Sequence, residues 1–274
     1  MRRAGLARLL QAMLAAGVSA PAAAAESDRA GNRLVPFEAV TPGPEAGSEE
    51  AGRQSAVHCT AERRWCAQLR RDAGPGAWRV HLFQGLPGEA EAGRSHPVAD
   101  PDGDSAFALW PQMVEEAGGA VLIGVVRSRS TGFAGGGASG AALALVRAEP
   151  GNAPPHPVLE VPIAASLSLR ACFSPDDERR RAGACLAELD FAGALELDRR
   201  ASEGRPRFRF RTRATSYPGL GARNGDGGRR LTPADLVRAR DPLCSYRRLF
   251  AFDSGAGLYR PDRPLPDCAE YLDF

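Results

Sequence analysis

Leu186-Ala187-Glu188-Leu189-Asp190-Phe191-Ala192-Gly193-Ala194-Leu195-Glu196-Leu197-Asp198 is followed, after a loop at residues 199–206, by Arg207-Phe208-Arg209-Phe210-Arg211-Thr212-Arg213. Both runs change character at every second residue, the period of a strand whose side chains alternate between two faces. In the first run Glu188, Asp190, Glu196 and Asp198 share a face opposite Leu189, Phe191, Leu195 and Leu197. In the second, four arginines share a face opposite Phe208, Phe210, Thr212 and Ala214. Closing the intervening loop as a hairpin, with Asp198 opposite Arg207, also places Glu196 opposite Arg209. A one-residue slip would break this match and expose the apolar set, so the register is specified twice.

Such a row of guanidinium groups can act as a comb for phosphates of nucleic acid or lipopolysaccharide, or for the carboxylates of an acidic glycan. The acidic strand beside it favours a self-neutralised ladder instead. Cross-strand charge pairs contribute only about 0.2–1 kcal/mol each, so they set register and solubility more than stability. In this register Arg211 and Arg213 run past the acids and face Ala194 and Ala192. These two arginines are the expected anion contact.

The same period recurs along the chain. Residues 66–71 and 78–83 are expected to form a hairpin across a Gly/Pro turn, and residues 120–129 and 141–148 a second one across a glycine-rich loop. Further extended runs are residues 158–161, 163–173, 244–252 and 258–259. Helical grammar is confined to Ser174-Pro175-Asp176-Asp177 and Thr232-Pro233-Ala234-Asp235, each with an N-cap, a proline at the first helical position and an acid at the third. Helices of two or three turns are expected there. The fold class is therefore all-β: an antiparallel, hairpin-rich sandwich or barrel with two short capped helices, stapled by disulfides. No motif recurs at a blade-like interval, which weighs against a propeller.

The six cysteines fall into three near-neighbour pairs, Cys59/Cys66, Cys172/Cys185 and Cys244/Cys268, separated by six, twelve and twenty-three residues. No C-x-x-C motif is present and the spacings match no zinc finger or ribbon, so structural bonds are expected. Of the fifteen possible connectivities, sequential pairing closes the shortest loops. Arg2, Arg3 and Arg8, the apolar run 9–18 and Ala23-Ala24-Ala25 compose a signal peptide with cleavage expected after Ala25. A spanning helix needs about 20 apolar residues, twice what this run offers, so no transmembrane segment is expected once the leader is removed. Bridged thiols and a leader together place the product outside the cytosol, in a periplasm or the extracellular space.

Removal of residues 1–25, with three arginines and no acid, takes the net charge from +2 to −1. The mature chain is thus not a generally basic, nucleic-acid-seeking protein. All 35 basic residues are arginine, a bias that extends to every segment and so reflects codon usage before function. Apolar residues make up 43%, enough for a buried core. Residues 26–56, rich in Pro, Gly, Glu and Ser, are expected to form a mobile N-terminal arm with one apolar island at 34–40; residues 57–274 are expected to form a single β domain.

Other chemistries find little support. Gly135-Gly136-Gly137-Ala138-Ser139-Gly140 fits G-x-G-x-x-G, but a strand-like alternation follows where a dinucleotide site needs a helix, so no nucleotide and no cofactor is expected. The glycine-rich loop remains a candidate ligand-facing loop. Asp100, Asp102 and Asp104 lack the glycine and the terminal glutamate of a calcium loop, and no metal is expected. The four histidines, His58, His81, His96 and His156, sit in unrelated contexts, with no G-x-S-x-G elbow or H-E-x-x-H helix to give them partners. The expected function is non-enzymatic binding of an anionic envelope component or another exported protein. The alternative is an enzyme acting on envelope polymers through dispersed carboxylates, which linear sequence does not reveal.

Overall fold

A computed structural model describes residues 25–40, 55–71, 78–85, 94–100, 103–151, 153–219 and 230–273. In chain order its strands are Glu26–Ser27 (β1), Arg33–Pro36 (β2), Glu38–Ala39 (β3), His58–Cys59 (β4), Trp65–Arg71 (β5), Trp78–Gln84 (β6), Arg94–Val98 (β7), Ala106–Glu115 (β8), Val121–Phe133 (β9), Gly136–Ala148 (β10), His156–Arg170 (β11), Leu186–Leu197 (β12), Phe208–Tyr217 (β13), Ala239–Asp241 (β14), Arg247–Asp253 (β15) and Leu258–Pro261 (β16). They build two antiparallel sheets. The larger has eleven strands in the order β1-β2-β8-β9-β10-β11-β12-β13-β15-β16, with β14 on β13, and the smaller has five, β3-β4-β5-β6-β7.

The run Val121-Leu122-Ile123-Gly124-Val125 shows why the sheets stack. It does not alternate in polarity because β9 is covered on both faces. Val121, Ile123 and Val125 pack with Trp65, Leu69, Val80 and Leu82 of the smaller sheet, while Leu122 packs with Leu143, Leu145, Val158 and Val161 on the other side. That second cluster also receives Leu34 from β2 and Tyr259 from β16, near the two ends of the large sheet. The large sheet therefore curls over its own inner face. Backbone bonds from Arg29 and Ala30 to the Ala201 carbonyl, at 2.9 and 3.1 Å, tie the first strands to the loop after β12. The terminal strands β1 and β16 do not pair, so the architecture is sandwich-like and not a closed barrel.

The two expected hairpins are present as β5–β6 and β9–β10. The glycine-rich stretch is not the expected loop. Only residues 134 and 135 turn; Gly136 to Gly140 are strand, paired with β9 on one side and β11 on the other. Glycine is needed because a Cβ at Gly136 would lie 2.1 Å from the Ser168 carbonyl oxygen. A candidate ligand-facing loop therefore does not exist at this place.

The capped helices are shorter than expected. Pro175–Arg180 (α1) has six residues, none buried, and Pro233–Asp235 is one turn of 3-10 helix with the expected capping box. Without an apolar stripe to dock, neither can propagate. At α1 the Asp177 carboxylate accepts from the Phe173 N–H at 3.1 Å and the Ser174 hydroxyl at 2.9 Å. With Arg180 as the largest influence, these bonds hold its pKa down to about 2. A further helix, Ala269–Leu272 (α2), carries no cap signal; the burial of Tyr271 beside Phe191 and Ala214 holds it in place.

Residues 26–40 of the expected arm are built into the body. They supply β1, β2 and β3, and Phe37 is fully buried between the sheets. The apolar island is long enough to cross from the large sheet to the small one, which outweighs the polar composition around it. At the far end of the expected arm Ser55 also joins the body, its N–H donating to the Leu69 carbonyl at 2.8 Å; residues 41–54 of the arm and residues 1–24 of the expected leader 1–25 lie outside the described residues. Cys59–Cys66, Cys172–Cys185 and Cys244–Cys268 are bonded, and no free cysteine remains. The second bond spans α1; the third ties the C-terminal segment to the start of β15.

Candidate anion-binding groove

Strands β12 and β13 pair in the register read from their charges, with Leu197 opposite Phe208, Glu196 opposite Arg209, Ala194 opposite Arg211 and Ala192 opposite Arg213. Asp198 meets Arg207 at 3.0 Å, and Glu196 lies 3.9 Å from Arg209. The expected freedom of Arg211 is corrected. Its side chain reaches diagonally back to Glu196 and forms an ion pair there. Long side chains span diagonal neighbours easily, so facing Ala194 did not leave this guanidinium without an acid. Arg213 is exposed and has no ion pair among the described residues.

The outward face of β12 reads Glu196, Ala194, Ala192, Asp190, Glu188. Acids stand at both ends and alanines in the middle. Arg238, from outside the hairpin, takes Asp190 and Glu188 together. The acid ladder is therefore interrupted beside Arg211 and Arg213, and the missing side chains leave an open groove. It has a volume of about 680 Å³ and is lined by Ala192, Ala194, Arg211, Arg213, Arg240 and Arg247 among others. A second depression of about 320 Å³ shares Arg211 and Arg247 with it and adds Glu196, Arg209, Arg248 and Asp262.

Three of these arginines, Arg240, Arg247 and Arg248, were not found from sequence. Arg247 on β15 stands directly opposite Arg211, and Arg240 on β14 stands opposite Thr215, two residues along from Arg213. Their own segments gave no sign of this, because only strand pairing decides which residues stand side by side. Six arginines now face two carboxylates, Glu196 and Asp262, and Asp262 is already accepting from the Leu249 N–H at 3.0 Å. Arg248 is tied down, donating to the Pro264 carbonyl at 3.1 and 3.0 Å and lying 5.1 Å over the Tyr246 ring. Burial raises the Tyr246 phenol above its ordinary value, with Arg248 opposing. Arg213, Arg240 and Arg247 have no ion pair among the described residues.

A second cleft of about 720 Å³ lies where the two sheets meet and contains adjacent carboxylates, Glu115 and Glu116. Both are committed. Glu115 takes Arg64 at 2.6 Å and Arg33 at 3.4 Å, and Glu116 takes Arg147 at 2.8 Å. His58 lies against the Ala56 carbonyl, and His96 against that of Pro155 with His156 near enough to act on it. Asp100 accepts from the Ser105 backbone and Asp104 pairs with Arg129, while Asp102 lies outside the described residues. Among the described residues no group of three metal-ligating side chains occurs, and no helix is long and apolar enough to cross a membrane. Comparison with protein-family models, curated protein sequences and solved structures finds no match for this chain.

Proposed function

We propose that this chain is an exported, non-enzymatic binding protein that takes an anionic envelope component into the groove around Arg211 and Arg213. The break in the acid ladder carries the reading. An ordinary solvated sheet face neutralises itself, whereas here alanines replace the acids where β14 and β15 add further arginines. Paired strands fix the spacing at which these arginine side chains leave the backbone, which lowers part of the ordering cost of gripping an anion. The three disulfides fit an oxidising compartment. Cleavage of the leader after Ala25 and release to a periplasm or beyond belong to the same proposal. An enzyme acting on envelope polymers would draw on Glu115 and Glu116, whose carboxylates already hold arginines.

The test is the double reversal Arg211→Glu/Arg213→Glu, assayed on heparin resin and on lipid A vesicles. Both side chains are exposed, so an unchanged melting temperature is expected together with loss of retention. Retention equal to that of the unaltered protein on both supports would remove the groove from the function.

A further inference from the structure

Arg211 and Arg247 are direct cross-strand partners, so their Cβ atoms stand about 4.5–5.5 Å apart on one face. Like charges so placed repel each other. Glu196 relieves Arg211 only in part, since it also serves Arg209, and Arg247 has no carboxylate among the described residues. An anion between the two guanidinium groups turns that repulsion into charge-assisted hydrogen bonds from two directions. Further along β13, Arg213 and Arg240 flank a second position in the same groove, as a diagonal pair and not a direct one, since Arg240 stands opposite Thr215. With a rise of about 3.4 Å per residue, the two positions are separated by about 7–10 Å.

We infer that the ligand carries two phosphate monoesters, one held by Arg211 and Arg247 and the other by Arg213 and Arg240. The inference rests on the binding role proposed above. A carboxylate has two oxygens in one plane and is satisfied by a single guanidinium fork. A phosphate monoester presents three acceptor oxygens and about −1.5 to −2 charge, which suits donors converging from two strands. The floor of the groove is Ala192 and Ala194, and Tyr246, its one aromatic ring, is half-buried with Arg248 over it. No stacking platform is left for bases, which favours a phosphorylated sugar or lipid headgroup over a nucleic acid.

Titration calorimetry on the full chain tests this with hexose 1,6-bisphosphate, hexose 6-phosphate, oligogalacturonate and single-stranded oligonucleotide. The bisphosphate is expected to bind about tenfold or more tighter than each of the others, and Arg247→Gln and Arg240→Gln are each expected to weaken it about tenfold. Arg260→Gln, an exposed arginine of β16 that lines neither depression, is the control and leaves affinity within about twofold. Circular dichroism melts establish that each variant is folded. Vesicles of phosphatidylcholine carrying bisphosphorylated or monophosphorylated lipid A identify the source: preference for the bisphosphorylated surface supports a headgroup, and preference for the soluble sugar supports a free glycan phosphate. Equal or tighter binding of oligogalacturonate or oligonucleotide overturns the phosphate inference while leaving an anion-binding groove. Equal binding of the mono- and bisphosphate overturns the paired positions. Failure of every anion overturns the inference and the proposed function together.

Discussion

Arg147 clamps Glu116 with two parallel hydrogen bonds, Nε to Oε1 and Nη2 to Oε2, both 2.8 Å, and the two side chains are only 6% and 5% exposed. The pair joins β10 to the turn after β8, and its partner Glu149 keeps the Arg147 guanidinium above its ordinary pKa together with Glu116, the larger influence. A buried pair of this kind contributes little net stability, but removing one member strands the other. Arg147→Met should cost about 3–5 kcal/mol in urea unfolding, and Arg147→Met/Glu116→Leu should recover most of that loss. Equal losses in the single and double variants would show that packing, and not the stranded charge, sets the cost.

Gly193 sits between the two alanines of the groove floor, on the opposite face of β12. A Cβ there would lie 2.5 Å from the Pro162 carbonyl oxygen and 2.9 Å from the Phe210 ring. Phe210 is fully buried and has nowhere to retreat. Gly193→Ala is expected to destabilise by about 1–3 kcal/mol. Gly132→Ala, with nothing within 4 Å, is the matched control and should be near neutral. A thermal melt that ranks the two variants equally would contradict the close approach.

Burial lowers the pKa of His58 and His96, opposed in each by a backbone carbonyl; at His96 the charges of Arg79 and His156 lower it further. In the unfolded chain both titrate near 6.5. The folded state therefore binds protons less readily. Stability is fully present above about pH 6.5, falls as pH drops through that value, and levels off below the depressed folded pKa values. The urea midpoint should decrease from pH 7 to pH 5, and His58→Gln/His96→Gln should flatten that decrease. A wild-type midpoint constant across this window would refute the assignment.

Cys244–Cys268 closes a loop of sequence separation 24 and holds α2, with its buried Tyr271, against the body. Cys244→Ala/Cys268→Ala should lower unfolding free energy by about 3–4 kcal/mol and expose the C-terminal segment to proteolysis. Limited proteolysis that cuts both proteins alike would show that Tyr271 packing alone retains this segment.

What was legible in the chain was local. The alternation of β12 and β13 shows in the sequence because a pleated strand has a period of two, and their register shows because Glu196 and Asp198 match Arg209 and Arg207. The bonded cysteines are near neighbours, so short loops identified them. Composition misled where tertiary partners were decisive. Gly136 to Gly140 have the content of a loop, yet β9 and β11 supply hydrogen bonds on both sides and their crowding demands glycine. Residues 26–40 have the content of an arm, yet Phe37 finds a slot between two sheets.

The chain by itself determined an all-β body, the pairing of its central hairpin and the placing of two arginines opposite the alanines of β12. Tertiary structure alone decided that Arg240 and Arg247 join Arg211 and Arg213, and that Arg211 shares Glu196. The reason is that side-chain period and nearest-hairpin register follow from neighbouring residues, whereas the second partner of β13 is chosen by the curl of the whole sheet around its core.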